Sequence, residues 1–300
     1  MDLMRAVLVT RFRGTEVLCP AEVERPSLIS TEVLVRVVAA GVNPVDCKTR
    51  RGEAVARWVG PPPFIDGWDV CGVVEKTGYG VTRFKVGDVI FGMPRFPRAG
   101  GGYAEFVAAP SRQFARVPEG VSPIEAAALP LAALTAWQCL VDTAQILDGQ
   151  TVLVHGAGGG VGHLAVQIAK ARGAHVISTT GRDDRDALQT RDVDVAVDLV
   201  GGQDTRALIA TVRQGGLLLA VADGADDGVK AEAKGGGVRV EEPLVEPDGH
   251  ALEEIAKLVG SGALKVIVHE TFPLERAAAA HDRLERGGVK GKLVLEVGHD

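Results

Sequence analysis

The chain has few aromatic side chains: Phe, Trp and Tyr together make up 4% of its 300 residues. That speaks against a surface that stacks nucleobases on rings. Basic charge is not in excess either, with 33 Lys and Arg against 39 Asp and Glu and a formal net charge of −6. Affinity for a polyanion rests on cations that neutralise phosphates, so no nucleic-acid partner is expected. The four cysteines, Cys19, Cys47, Cys71 and Cys139, are scattered and form no CxxC pair. Neither a disulfide framework nor a zinc ribbon follows from them. No apolar run approaches the roughly 20 residues that cross a bilayer, so no membrane partner is expected. The N-terminus, with Asp2 and Arg5, lacks a clean apolar signal core. A reduced, cytoplasmic, soluble protein is the expectation. At 46% hydrophobic and 24% charged residues, the chain has enough apolar surface to offset the entropy of ordering.

Glycine is plentiful, at 38 residues. In the first third, Gly and Pro punctuate short Val- and Leu-rich runs at 6–10, 32–40, 69–75, 86–91 and 103–108, which predicts a compact all-β or barrel-like unit. Near Pro118 the pattern changes. Ser122-Pro-Ile-Glu125 reads as a capped helix start. From Thr151 strands and helices alternate: strand 151–155, helix 161–172, strands 174–179 and 193–199, helix 203–213, strand 216–222. That alternation predicts an α/β fold with a doubly wound parallel sheet. Helices at 249–260 and 274–287 and a last strand at 292–297 follow. An α/β domain at 119–265, inserted into a β domain made of 1–118 and 266–300, is expected.

The sharpest motif is Thr151-Val-Leu-Val-His-Gly-Ala-Gly-Gly-Gly-Val-Gly162, a strand running into glycines and then into an amphipathic segment. A dinucleotide site needs a tight turn, close backbone approach to a pyrophosphate, and a helix packed on the strand. Ala157, Gly159 and Gly162 hold those places, an AxGxxG match with Gly158, Gly160 and Val161 between them. The helix N-terminus then offers N–H groups to phosphate. The next strand ends Ser178-Thr-Thr-Gly-Arg182 with no carboxylate for a ribose 2′-hydroxyl. Thr179, Thr180, Gly181 and Arg182 suit a 2′-phosphate, so NADPH is expected over NADH.

With these residues in view, the chain resembles the medium-chain dehydrogenase/reductase superfamily in its zinc-free quinone oxidoreductase and enone reductase branch. The resemblance rests on Glu32-Val-Leu-Val-Arg-Val, Ala40-Gly-Val-Asn-Pro-Val-Asp46, Gly67-Trp-Asp-Val-Cys-Gly-Val-Val74, Phe84-Lys-Val-Gly-Asp-Val89 and Gly102-Tyr-Ala-Glu105. It continues through Ala126-Ala-Ala-Leu-Pro130, Leu134-Thr-Ala-Trp137, the glycine motif and Gly291-Lys-Leu-Val294. It implies a GroES-like β domain around a Rossmann domain, and NADPH-dependent reduction of a quinone or enone. By position it implies cofactor contacts at Lys48, Thr135, Val200, Gly201, Val221, Gly291 and Lys292, beside those of the glycine loop. Asn43 and Lys48 are the implied catalytic groups. A homodimer is consistent with the resemblance.

Zinc-dependent relatives carry Cys where this chain has Asn43 and a His-Glu pair where it has Trp68-Asp69. No metal is expected, since zinc takes about four N, S or O ligands. Trp68 with Val and Leu residues is expected to line an apolar cleft for a flat substrate. The connection from Arg182 to Asp192 is too short for both a helix and a strand, so the sheet should lack one edge strand. His155 and His163 are read as packing residues. The alternative function is a non-catalytic NADPH-sensing or RNA-associated binding protein on the same fold.

Overall fold

A computed structural model describes residues 2–180 and 187–298. The chain forms two compact units. One comprises residues 1–134, 246–262 and 266–300, and is called the terminal unit below. The other, the middle unit, comprises residues 135–245 and 263–265.

The terminal unit contains the strands β1 (Leu3–Val9), β2 (Leu18–Glu24), β3 (Glu32–Val42), β4 (Phe64–Ile65), β5 (Asp69–Thr77), β6 (Val89–Gly92), β7 (Phe106–Pro110) and β8 (Phe114–Arg116). A three-stranded sheet runs β2-β1-β4. β3 is almost wholly buried. Its run of Val and Ala suits a central strand, and it pairs antiparallel with β5 and with β7. Val33, Val35, Val37, Val70, Ile90 and Phe114 form the core between these strands. Burial stabilises by roughly 1.5–3 kcal/mol for each large aliphatic or aromatic side chain.

Both ends of the chain meet here. The last strand, Lys292–Glu296, pairs antiparallel with β3, from Leu293 opposite Val42 to Glu296 opposite Ala39. Strand Val268–Pro273 lies parallel beside it. The helix Pro123–Ala127 begins as its sequence predicts: the Ser122 hydroxyl accepts from the Glu125 N–H at 3.2 Å, and the Glu125 carboxylate accepts from the Ser122 N–H at 3.0 Å. It packs on β3 and β5, and the helix Gly249–Gly260 packs on β8. Residues 119–134 and 246–262, assigned from sequence to the dinucleotide domain, therefore group with the terminal unit.

The middle unit holds β9 (Thr151–His155), β10 (His175–Thr179), β11 (Val193–Asp198), β12 (Val212–Ala220) and β13 (Arg239–Glu241). They form a parallel sheet in the order β10-β9-β11-β12-β13. β9 and β11 are buried along nearly their whole length, as strands of a helix-covered parallel sheet are. Among the described residues β10 is an edge strand, and between it and β11 only a 3-10 turn, Ala187–Gln189, is present. Residues 181–186 lie outside the described residues.

The helix expected at 203–213 is shorter, Asp204–Ile209. Thr211 ends it, donating through both its N–H and its hydroxyl to the Leu208 carbonyl. β12 then starts early and shifts register against β11 between Val193 and Val195. Gly215, at φ +77, sits in that irregularity.

Candidate functional site

The glycine loop is built from backbone. β9 delivers the chain to Gly156, whose φ of +89 makes the tight turn. A side chain is disfavoured in that conformation. The turn therefore falls one residue before Ala157, which is how an alanine is accommodated at the motif's first place. The Ala157 N–H donates to the Thr179 carbonyl at 2.8 Å, tying the loop to β10. At Gly162, a Cβ would stand 2.2 Å from the Gly156 carbonyl oxygen, so only glycine allows the helix Gly162–Ala171 to start so close to the strand. The N–H groups of Gly158, Gly160, Val161 and Gly162 donate to no acceptor among the described residues. Four donors at a helix start make an anion cradle. The pyrophosphate of a dinucleotide fits it.

Thr179 is buried, and its hydroxyl faces the loop. It accepts from the Gly156 N–H at 3.2 Å and bonds His155 Nδ1 at 2.7 Å. His155 Nε2 lies 3.6 Å from an Asp204 carboxylate oxygen. Thr180 is exposed beside Gly158. Val200 is 48% exposed at the end of β11, next to Gly156. Val200 and Gly201 donate their N–H groups to Asp198 Oδ1, and Thr205 donates to Asp198 Oδ2. The half-buried Val221 donates its N–H to the Asp198 carbonyl. Thr135 is buried in the helix Pro130–Trp137. Gly181 and Arg182 lie outside the described residues.

The terminal unit's polar groups are side chains. Asn43 precedes the helix Pro44–Arg50, with Pro44 at the first turn. Asp46 closes that end by accepting the Asn43 N–H at 2.7 Å. The Asn43 amide is bonded by side chains from outside the helix. Its Nδ2 donates to Asp69 Oδ2 at 2.8 Å, and its Oδ1 accepts from Lys292 Nζ. Lys292 also donates to Asp69 Oδ2 at 3.2 Å, while Asp69 Oδ1 accepts the Leu131 N–H at 2.6 Å. Asn43 is 1% exposed and Lys292 3%. Gly291 is buried beside them at φ +79, against the Ile267 carbonyl. Lys48 is half-buried on the same helix as Asp46.

A second buried chain of contacts starts at Asp46. Tyr103 donates to Asp46 Oδ2 at 2.7 Å, His281 Nε2 lies 3.1 Å from the Tyr103 hydroxyl, and Arg50 bonds His281 Nδ1 at 3.4 Å. Arginine can only donate, so Nδ1 accepts and the imidazole proton sits on Nε2. Burial, then the Arg50 charge, pushes His281 down to about 3, so it is neutral here. Burial raises Asp46 to about 7. It also raises Asp66, with the Asp46 charge adding to the effect. Sequence reading missed Asp66, Asp69, Tyr103 and His281 as a polar system. The Asn43–Asp46 spacing, that of a capping box, was the one local signal.

Trp68, expected to line an apolar cleft, is instead engaged within the terminal unit. It is fully buried, and its Nε1 donates to the Arg98 carbonyl at 2.7 Å. It packs edge-on against Phe96. The donor set does not fit zinc either. Asn43 and Asp69 are engaged with a lysine, Trp68 offers no lone pair, and burial raises the thiol of Cys71 to about 12. Among the described residues no group of three or more His, Cys, Asp or Glu is placed to hold a metal ion. No helix among them is long and apolar enough to cross a membrane.

Two family profiles match, one described as an alcohol dehydrogenase GroES-like domain over residues 30–119 and one as a zinc-binding dehydrogenase over 172–295. A quinone oxidoreductase of Rattus norvegicus is 31% identical over 327 residues, covering 98% of each chain. Among solved structures, the quinone oxidoreductase from Coxiella burnetii aligns at a TM-score of 0.91 with 32% identity, covering 99% of this chain and 100% of the other. A mycobacterial protein solved in complex with NADPH aligns at 0.84 with 29% identity, covering 98% and 99%. With both chain ends in one β unit, a parallel sheet carrying the glycine loop built from the sequence between those ends, and relatives 31% and 32% identical over nearly the whole chain, the chain belongs to the medium-chain dehydrogenase/reductase superfamily, in its zinc-free quinone oxidoreductase branch.

Proposed function

We propose that this chain reduces a quinone or an α,β-unsaturated carbonyl with NADPH and without a metal. The observation that carries the reading is the glycine loop, where four N–H groups without an acceptor among the described residues open a ten-residue helix. Relatives named as quinone oxidoreductases and a similar structure solved with NADPH support it. The end of β10 offers hydroxyls and no carboxylate, which favours a 2′-phosphate.

When bound, NADPH supplies the hydride. The loop N–H groups would hold its pyrophosphate, Val200 would give an apolar contact, and Lys48 would hold the nicotinamide ribose. Hydride arrival builds negative charge on the acceptor's oxygen, and a preorganised donor there lowers the barrier. Asn43 is that donor, through the Nδ2 hydrogen that Asp69 does not take. The enolate or hydroquinone anion is basic enough to take its final proton from water. A simple ketone would yield an alkoxide, which needs stronger stabilisation than one amide provides. The acceptor is a small molecule, and the net charge of −6 supports that over nucleic acid. A homodimer in the cytoplasm completes the proposal.

Steady-state rates of NADPH oxidation over quinones, enals, enones and simple ketones test it. Turnover of electron-poor acceptors with little on ketones is expected. NADPH binding without turnover of any acceptor would favour the sensing alternative.

A further inference from the structure

Lys292 stands where the sequence pattern least suggests. The Gly291-Lys-Leu-Val294 motif implies a cofactor contact, yet the ammonium is buried and directed at Asn43 and Asp69. A lysine is seldom so buried unless it is paired. Here it has one carboxylate, and it shares that carboxylate with Asn43.

The chemistry of the trio leaves the amide one orientation. An ammonium only donates and an ionised carboxylate only accepts. The Asn43 oxygen must therefore face Lys292, and its nitrogen must face Asp69. Asp69 is itself anchored, because its other oxygen takes the Leu131 N–H. Three separate parts of the chain, at residues 69, 131 and 292, thus fix the amide of Asn43.

We propose that Lys292 is a positioning residue: it holds the Asn43 amide in this orientation and polarises it, so that the remaining Nδ2 hydrogen is a stronger donor to the acceptor's oxygen. The inference rests on the reading of Asn43 given above. A cation on the amide oxygen draws density from the nitrogen, and bonds linked in this way strengthen one another in a low-dielectric interior. Without the cation the amide oxygen loses its partner and the Nδ2 hydrogen loses its polarisation, although Asp69 still holds the nitrogen. The oxygen that gains negative charge then meets a weaker and less firmly held donor, while ground-state binding changes little.

The test uses Lys292→Met and Lys292→Gln in the full chain, with three measurements. For Lys292→Met, kcat should fall about 100-fold, the scale of one lost oxyanion donor. KM for the quinone and the Kd for NADPH, by fluorescence titration, should stay within a few-fold of wild type. Lys292→Gln can still donate to the amide oxygen but carries no charge, so an intermediate kcat is expected. Should Lys292→Met fail to fold, Lys292→Gln is read by the same criteria. Unchanged kcat, or a loss seen mainly in the NADPH Kd, overturns the proposal and makes Lys292 a packing or cofactor residue. The third readout is the side-chain NH2 pair of Asn43 in 1H–15N spectra, identified by its loss in Asn43→Ala. It should be shifted and slow to exchange in the wild type and should lose both properties in the Lys292 variants. An unchanged pair overturns the inference even if the wild type turns over no quinone, an outcome that would sink the proposed function by itself.

Discussion

In the middle unit the groups open to an anion among the described residues are the backbone N–H groups of Gly158, Gly160, Val161 and Gly162, and the side chains around them, Thr179 and His155, brace the loop. In the terminal unit the polar groups are side chains drawn from residues 43, 46, 66, 69, 103, 281 and 292, and the backbone carries them. The first site depends on the absence of Cβ atoms at a few consecutive positions. The second depends on buried charges that must be matched, and burial unbalances some of them. One region should therefore fail through steric change and the other through charge.

The largest effect is expected at Asn43. Asn43→Ala removes the proposed donor, and kcat should drop by about 10²–10³-fold while NADPH affinity is held. A variant that loses NADPH affinity instead would move Asn43 to the cofactor site and erase the division between the units.

Next comes the loop. Gly162→Ala places a Cβ 2.2 Å from the Gly156 carbonyl oxygen and 2.7 Å from Ala157 Cα, both backbone atoms. NADPH affinity should fall by about 100-fold, or ~2.8 kcal/mol, with the melting temperature much less affected. Wild-type affinity in that variant would mean that the loop yields.

The third concerns pH. Folded Asp46 keeps its proton to about 7, against 3.8 in the unfolded chain. Its contribution is whole below the unfolded value and is lost as pH rises through about 7. Asp66, raised in the same direction, acts alike. His281 has the opposite sign: lowered from 6.5 to about 3, it contributes above pH 6.5 and that contribution is lost as pH falls toward 3. Above pH 6.5 the carboxyl groups outweigh His281. Wild-type stability should fall between pH 6.5 and 8, and Asp46→Asn should remove ~0.8 kcal/mol of that fall. Equal declines in both proteins, measured by denaturant melts at the two pH values, would refute it.

How much of this could be read from sequence follows the same division. The glycine loop is contiguous, so its spacing shows in the string, although the turn lies at Gly156 and not at Ala157. The Ser122–Glu125 cap is likewise local. β2 escaped notice because Pro20 and its Glu residues read as a loop, and it pairs with β1 alone, a place where proline is tolerated. β12 was misplaced because Arg213-Gln-Gly-Gly216 looks like a helix end. The Lys292–Asn43 contact spans 249 positions, and no periodicity reports a pairing that the sheet alone creates. Burial then decides what Trp68 does, and an aromatic residue beside a motif cannot show which way it faces.

The smallest effect should come from Thr179. Its hydroxyl is engaged with His155 and the Gly156 N–H, so Thr179→Val should cost about 0.5–1.5 kcal/mol in binding of NADPH and NADH alike. Selective loss of NADPH would place the hydroxyl on the 2′-phosphate.

If Asn43 supports hydride transfer without a metal, as proposed, turnover does not depend on zinc. NADPH oxidation with a quinone, measured before and after exhaustive treatment with a zinc chelator, decides this. The same kcat is expected in both samples, with no gain on adding zinc. Loss of turnover on chelation that added zinc restores would refute the metal-free reading.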